Sequence, residues 1–447
     1  MHNDLRKAVD ESPMNRFQWT AIIICIALNM LDGFDVLVMA FTAASVSAEW
    51  KLSGSQLGLL LSAGLLGMAA GSLFIAPWAD RFGRRPLILF CVTLAGAGML
   101  LSALTQTPLQ LAVLRAITGL GIGGILASSN VIASEYSSKR WRGLAVTLQS
   151  TGYALGATIG GLIAVALLSA WGWRSVFIFG GLATFAIIPF VLWRLPESLD
   201  FLLARRPANA LERINVLARK LGHTPLAALP SLPTHGADEV KSSSFKQLFA
   251  PRLLRTTLLI WASFFLAMFG FYFIMSWTPK LLVSAGMSAQ QGVTGGVLLS
   301  IGGIFGAALI GMLAARFKIS HLLAVFMACT AVLLSVFVST TSSLTAAFVM
   351  GLLIGLFSNG CIAGLYALAS MAYDASVRAT GMGWSIGMGR FGAIISPLVA
   401  GGLIDLQWGP NQLYQGYAVI FVIAAATVLL LKLSAPARPL GAPSSAH

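Results

Sequence analysis

Charge is scarce in this chain: Asp, Glu, Lys and Arg supply 10% of its 447 residues, and hydrophobic side chains 57%. A water-soluble globule of that size needs far more polar surface, so the chain reads as an integral membrane protein. Cysteine is nearly missing. Cys25, Cys91, Cys329 and Cys361 are scattered through apolar segments without C-x-x-C spacing, which argues against a zinc site or a disulfide framework and for small packing residues. No phosphate-binding loop, zinc-ligand cluster or nucleophile elbow occurs, so neither an enzyme nor a bound cofactor or metal is expected. Without ATP-hydrolysing machinery, any work done must draw on an ion gradient. The ten-residue alternating strands of an outer-membrane barrel are absent too.

Long apolar runs are what the chain has in plenty. Twelve reach the length of about 20 residues that spans a bilayer as helix, at 19–46, 55–79, 86–105, 108–134, 143–169, 174–195, 253–279, 291–315, 319–340, 343–370, 380–404 and 414–433. The formal net charge of +14 is topological. Every Lys and Arg falls on the side of the termini except Lys51, Arg174 and Lys280 on the other side and Arg115 and Arg390 within spans. The positive-inside pattern puts both termini in the cytoplasm of a multi-pass protein of the bacterial inner membrane, and a nucleic-acid partner is not expected. Residues 1–45 are no cleaved signal peptide, because the apolar run is too long for an h-region and carries Asp32 and Asp35.

Six spans occupy residues 1–195 and six occupy 253–447, with a charged, Pro- and Ser-richer cytoplasmic linker at 196–252. In the linker, Leu211, Ile214, Leu217 and Leu221 recur at helical spacing opposite Arg213, Arg219 and Lys220, as in an amphipathic helix lying on the membrane surface. The halves carry a worn repeat. "ADRFGRR" at 79–85 corresponds to "AARFKIS" at 314–320, and Arg142 corresponds to Arg378, offsets of 235 and 236 residues. A duplicated six-helix unit around a central site is the plan of an alternating-access transporter.

The loop "ADRFGRRP" after the second span resembles the signature of the major facilitator superfamily, G-x-x-x-D-R-x-G-R-R. Asp80, Arg81, Gly83, Arg84 and Arg85 match, and Ala76 replaces the leading glycine. Arg115 with Gly119, Gly121 and Gly123 resembles the fourth-helix motif of that superfamily, and "LPES" at 195–198 the sixth-span motif of its sugar and organic-anion carriers. Asp32-Gly33-Phe34-Asp35, joined to "GRFGAIISP" at 389–397, resembles more narrowly the aromatic acid:proton symporters. The ladder Gly152, Gly156, Gly160 and Gly161 is similar to the antiporter motif, but Ala157 stands at its proline position, which speaks against a drug:proton antiporter. The resemblance implies an all-α membrane protein of twelve transmembrane helices in two pseudo-symmetric six-helix bundles. It further implies a monomeric, proton-coupled importer of small aromatic carboxylates of the benzoate or hydroxybenzoate class. A symporter for aliphatic acids or sugars is the alternative, and a non-transporting membrane sensor the alternative of another class.

Residues that cost free energy in hydrocarbon are the candidates for chemistry. An ionised Asp at mid-bilayer costs ~2.5–3.5 kcal/mol on insertion scales. Asp32 and Asp35 are three apart on one helix face, with Gly33 open to a neighbouring backbone. They are the proton-coupling candidates. The alternative is a structural pair neutralised by Arg115 or Asn130, yet the repeat positions in the second half are Met268 and Phe271, so the pair is not a symmetric structural feature. Arg115 cannot shed its charge, and either anchors a substrate carboxylate or pairs with an aspartate. The resemblance turns Arg390 toward the central cavity, where its planar fork suits a carboxylate. Among the rings of span seven, Phe269 and Tyr272 are expected against an aromatic substrate, together with Tyr366 in span ten and Tyr153 in span five. Asp80, Arg84, Arg85, Glu135, Arg142 and Arg378 are the expected inner gate, opposite charges at comparable depth.

Overall fold

The computed structural model describes residues 9–207, 209–226, 229, 247–373 and 377–431. Among them twelve helices are long and apolar enough to cross a membrane. They are α1 (Arg16–Trp50), α2 (Gly54–Phe82), α3 (Arg84–Ser102), α4 (Pro108–Glu135), α5 (Arg142–Trp171), α6 (Trp173–Arg194), α7 (Pro251–Ser284), α8 (Ala289–Ala314), α9 (Ile319–Thr340), α10 (Leu344–Ala372), α11 (Thr380–Asp405) and α12 (Pro410–Leu429). Phe74, Leu104 and Phe305 stand exposed on the outer surface. Only hydrocarbon wets such a surface, and there a backbone must satisfy its own hydrogen bonds as helix.

The helices run past the apolar limits of their spans because polar caps lie just outside them. Asn15 accepts from the Gln18 amide at 3.0 Å ahead of α1, and Ser53 from the Gln56 amide at 3.2 Å ahead of α2. Near its far end α2 loosens into a π turn at Gly71–Ile75 and a 3-10 turn at Ala76–Trp78, around Pro77. Gly83, at φ 101°, then reverses the chain into α3, a backbone conformation that side chains resist.

Helices α1–α6 pack as one bundle and α7–α12 as a second, with the same pairings in each. α1 lies on α5 as α7 lies on α11, and α2 lies on α4 as α8 lies on α10. The equivalence reaches single residues. Gly67 and Gly71 abut the backbone of Ala116 and Leu120, while Gly302 and Gly306, each 235 positions on, abut Leu352 and Leu356. Small residues let these backbones touch, the main source of helix association in lipid.

The bundles meet tightly at the end away from the termini. There Gly54 and Gly58 of α2 lie against Gly401 and Pro397 of α11, and Gly161 of α5 against Val297 of α8. The Asp405 carboxylate at the end of α11 accepts from the Gly54 amide (2.6 Å), the Ser55 amide (2.8 Å) and the Ser55 hydroxyl (2.5 Å), so one bundle caps a helix of the other. At the terminal end the bundles part: nothing lies within 4 Å of a side chain built at Gly387 or Gly383 of α11, one and two turns before Arg390. The linker helix expected on the membrane surface forms at Ala210–Leu221, but its face is turned elsewhere. Ile214, Leu217 and Leu221 are buried in the core of the first bundle with Ile24 and Leu202, and Asn15 donates to the Lys220 carbonyl at 2.9 Å. Protein rather than lipid covers the apolar stripe.

Candidate functional site

Between the bundles lies a cavity of about 520 Å³ whose lining comes from seven of the twelve spans. Its charged groups are Asp32 of α1 and Arg390 of α11, one from each bundle. Tyr153 (α5), Tyr272 (α7) and Tyr366 (α10) supply hydroxyls, Asn29, Asn130 and Asn359 supply amides, and Met68, Phe271 and Ile394 are among the apolar walls. Flat apolar walls with a few convergent polar groups are the usual makings of a small-molecule site. Met268, at the repeat position of Asp32, also lines the cavity. The carboxylate is therefore an asymmetric feature inside a symmetric frame.

The two aspartates part company. Asp32 is 3% exposed, lines the cavity, and its Oδ1 has no hydrogen-bond partner among the described residues. Asp35, one turn on, meets α4, where Arg115 Nη1 donates to Oδ1 at 2.7 Å and Nη2 to Oδ2 at 3.2 Å. Arg115 Nη2 also donates to the Asp35 carbonyl at 2.7 Å, and the Phe177 ring lies 6.0 Å beneath the guanidinium. This is a planar fork on a planar carboxylate, fully inside protein, with Arg115 1% exposed. The glycines around it are spacers: a side chain at Gly64 would crowd the guanidinium at 3.2 Å, and one at Gly33 would strike the Tyr153 carbonyl.

Of the expected substrate contacts, Arg390, Tyr366, Tyr153 and Tyr272 line the cavity, whereas Arg115 and Phe269 do not. Arg115 is occupied by Asp35. Phe269 is turned into its own bundle, stacked on Tyr417 at 5.2 Å between ring centres. A helix dense in rings puts most of them into packing, and position alone does not single out the exceptions.

The expected gate residues form contacts within their own half of the chain and the adjoining linker at the parted end. Arg84 lies 3.4 Å from Asp80 and 3.8 Å from Glu135, and Arg205 donates to the Asp80 carbonyl at 2.9 Å. Glu135 accepts from the Ser198 hydroxyl (2.9 Å) and the Leu199 amide (3.0 Å). Arg85 turns to the Leu192 carbonyl, Arg142 to Asp10, and Arg378 to the Tyr373 carbonyl at 3.3 Å. With this end parted, Asp80 lies against Arg84 and Arg142 against Asp10; the gate charges were expected to pair when this face closes.

Three groups were missed as functional candidates. Glu197, within "LPES", accepts from the amides of Arg84 (2.8 Å) and Arg85 (3.2 Å), an anion on the N-terminus of α3. Asp405 holds the closed end. Asn29 and Asn359 line the cavity, and an amide inside an apolar run is itself a signal, because it needs a partner there.

The fold and this site define a twelve-helix membrane transporter, and comparison with known proteins agrees. Residues 22–352 match the Major Facilitator Superfamily, and the chain belongs to that family. It is similar to the gallate transporter of Pseudomonas putida, 33% identical over 428 residues covering 95% of this chain and 94% of that one. It is also similar to the 4-hydroxybenzoate transporter PcaK of Pseudomonas aeruginosa, 30% identical over 96% of this chain and 95% of the relative. The inward-open xylose transporter XylE of E. coli shares the fold, with a TM-score of 0.71 at 17% identity over 92% of this chain and 96% of that one.

Proposed function

We propose that this protein imports aromatic carboxylates of the benzoate and hydroxybenzoate class together with protons, by alternating access, across the bacterial inner membrane with both termini in the cytoplasm. One observation carries the reading: Asp32 and Arg390 line the same ring- and amide-walled cavity, while Asp35 is neutralised by Arg115 outside it. The relatives' names, gallate, 4-hydroxybenzoate and benzoate transporters, support the substrate class.

The mechanism follows from charge balance. In the empty cavity an ionised Asp32 offsets Arg390. A substrate carboxylate that docks on the Arg390 fork adds a negative charge in a poorly solvated place, which is costly unless a proton arrives with it. Asp32 takes up that proton, and the cavity is neutral again. The loaded carrier then moves one anion and one proton, an electroneutral step driven by the pH difference at ~1.4 kcal/mol per unit. Asp35 and Arg115 stay paired throughout and hold α1 against α4. Bundles closed at Asp405 and parted at the terminal end correspond to the state open to the cytoplasm, where substrate leaves and Asp32 loses its proton.

The test is uptake into proteoliposomes with an inwardly directed pH gradient. Labelled hydroxybenzoate is expected to accumulate above equilibrium, and collapsing the gradient is expected to stop it. Accumulation of an aliphatic acid or a sugar in its place would replace the substrate class, and binding without accumulation would mark a sensor.

A further inference from the structure

A second cavity, of about 360 Å³, lies at the terminal end of the first bundle, between the end of α6, the start of α3 and the linker helix Ala210–Leu221. Ligand pockets span ~300–1,000 Å³, so there is room for a small polar group. Four cations line it, Arg85, Arg194, Arg213 and Lys220, against two carboxylates, Glu197 and Glu212. The buried one of the two is already engaged, since Glu197 Oε1 accepts from the amides of Arg84 (2.8 Å), Arg85 (3.2 Å) and Ser198 (2.9 Å). Arg85 donates to the Leu192 carbonyl, and Lys220 lies over the Phe17 ring at 5.5 Å. Arg194, Arg213 and Lys220 are exposed, and none has a carboxylate partner among the described residues. Cations gathered round one cavity repel one another, and an anion among them relieves that repulsion.

The remaining wall indicates which anion. Trp193, in the last turn of α6, lines the cavity and is 78% exposed, and Phe190, three residues back on the same helix face, is exposed as well. Because α6 spans the membrane, acyl chains wet this flank, and a tryptophan at the end of a span sits at headgroup level. We propose that the cavity binds the phosphate of an anionic phospholipid on Arg194, Arg213 and Lys220, with its acyl chains along Trp193 and Phe190, and so ties the linker helix to the end of α6. Basic pockets at the ends of spans suit lipid phosphates. The site is independent of what the central cavity carries.

The experiment is native mass spectrometry and thermal unfolding of delipidated full-length protein with phosphatidylglycerol, phosphatidylcholine of the same chains, or glycerol phosphate. Phosphatidylglycerol is expected to bind about tenfold or more tightly than either of the others and to raise the melting temperature. Combining Arg194→Gln, Arg213→Gln and Lys220→Gln should bring phosphatidylglycerol down to the phosphatidylcholine level. If that variant does not fold, brominated chains decide on the wild type: brominated phosphatidylglycerol should quench Trp193 emission, read as the difference between wild type and Trp193→Phe, and brominated phosphatidylcholine should not. Equal binding of the two lipids, a preference that survives in the triple variant, or no selective quenching of Trp193 overturns the site. Glycerol phosphate binding as tightly as phosphatidylglycerol overturns the lipid assignment in favour of a soluble anion.

Discussion

The division of labour between the two aspartates makes a prediction that separates them by stability as well as by transport. Asp35→Asn removes a carboxylate holding both Nη atoms of Arg115 at 2.7 and 3.2 Å, and the arginine left behind is 1% exposed. Breaking one side of a buried pair costs ~3–5 kcal/mol, because the remaining charge is uncompensated. The carbonyl of Asp35 stays as an acceptor for Nη2, which places the expected loss near the lower end, ~3 kcal/mol. Asp32→Asn breaks no hydrogen-bonded buried pair, since the charge it offsets, Arg390, is only partly buried in the cavity wall, and it should leave stability nearly unchanged, yet it should abolish uphill uptake, since an amide does not exchange the coupled proton. The assay is thermal unfolding in detergent alongside proteoliposome uptake. A third variant, Asp35→Asn with Arg115→Met, removes both charges and should recover much of the lost melting temperature, as replacing a whole buried pair often does. The assignment of Asp35 to a structural pair fails if Asp32→Asn is the less stable single mutant, or if the double variant is no more stable than Asp35→Asn.

Further outcomes are expected of the other charged residues. Arg390→Lys should weaken binding of aromatic anions about tenfold or more by trading a bidentate fork for a point charge, with melting temperature unchanged; an unaltered affinity would remove Arg390 as the anchor. Asp80→Ala should slow turnover more than it weakens binding, as measured by uptake rates beside calorimetry, and equal loss of both would count against a gating role. Asp405→Ala should loosen the closed end, seen as a longer distance between spin labels at Lys51 and Leu406; an unchanged distance distribution would mean the glycine contacts hold that end alone. Glu197→Gln should lower stability by ~1–3 kcal/mol through the lost charge on the N-terminus of α3 while leaving substrate affinity intact.

The fold was largely legible because hydrocarbon is a strict solvent: a span must be long, apolar and helical, and all twelve runs announce themselves by that rule. The repeat was legible for a related reason, since backbone contacts such as those at Gly67 and Gly302 need small residues at matching places in each half. What stayed hidden depends on rotation and on distant partners. Three residues of separation put Asp32 and Asp35 on one face, and only the arrival of α4 decides which of them meets Arg115. Phe269 and Tyr272 are likewise one turn apart, and α12, through Tyr417, takes the first into packing while the second lines the cavity. Asp405 looks like an ordinary helix-end carboxylate until α2, some 350 residues earlier, brings its free amides to it. The linker helix showed its apolar stripe, but whether lipid or protein covers such a stripe is a matter of which surface lies nearer.

In the proposed cycle one proton enters with each aromatic anion and resides on Asp32. Calorimetry measures this directly when the best-binding hydroxybenzoate is titrated into purified protein in buffers of differing ionisation enthalpy, at a pH where the ligand is fully ionised. Wild type is expected to take up about one proton per anion bound where Asp32 is ionised beforehand, and anion affinity should rise about tenfold per unit fall in pH over that range. Asp32→Asn should bind the anion with no proton uptake and no such slope. Binding by wild type without proton uptake, or an Asp32→Asn protein that still takes up a full proton, would rule out Asp32 as the site of the coupled proton.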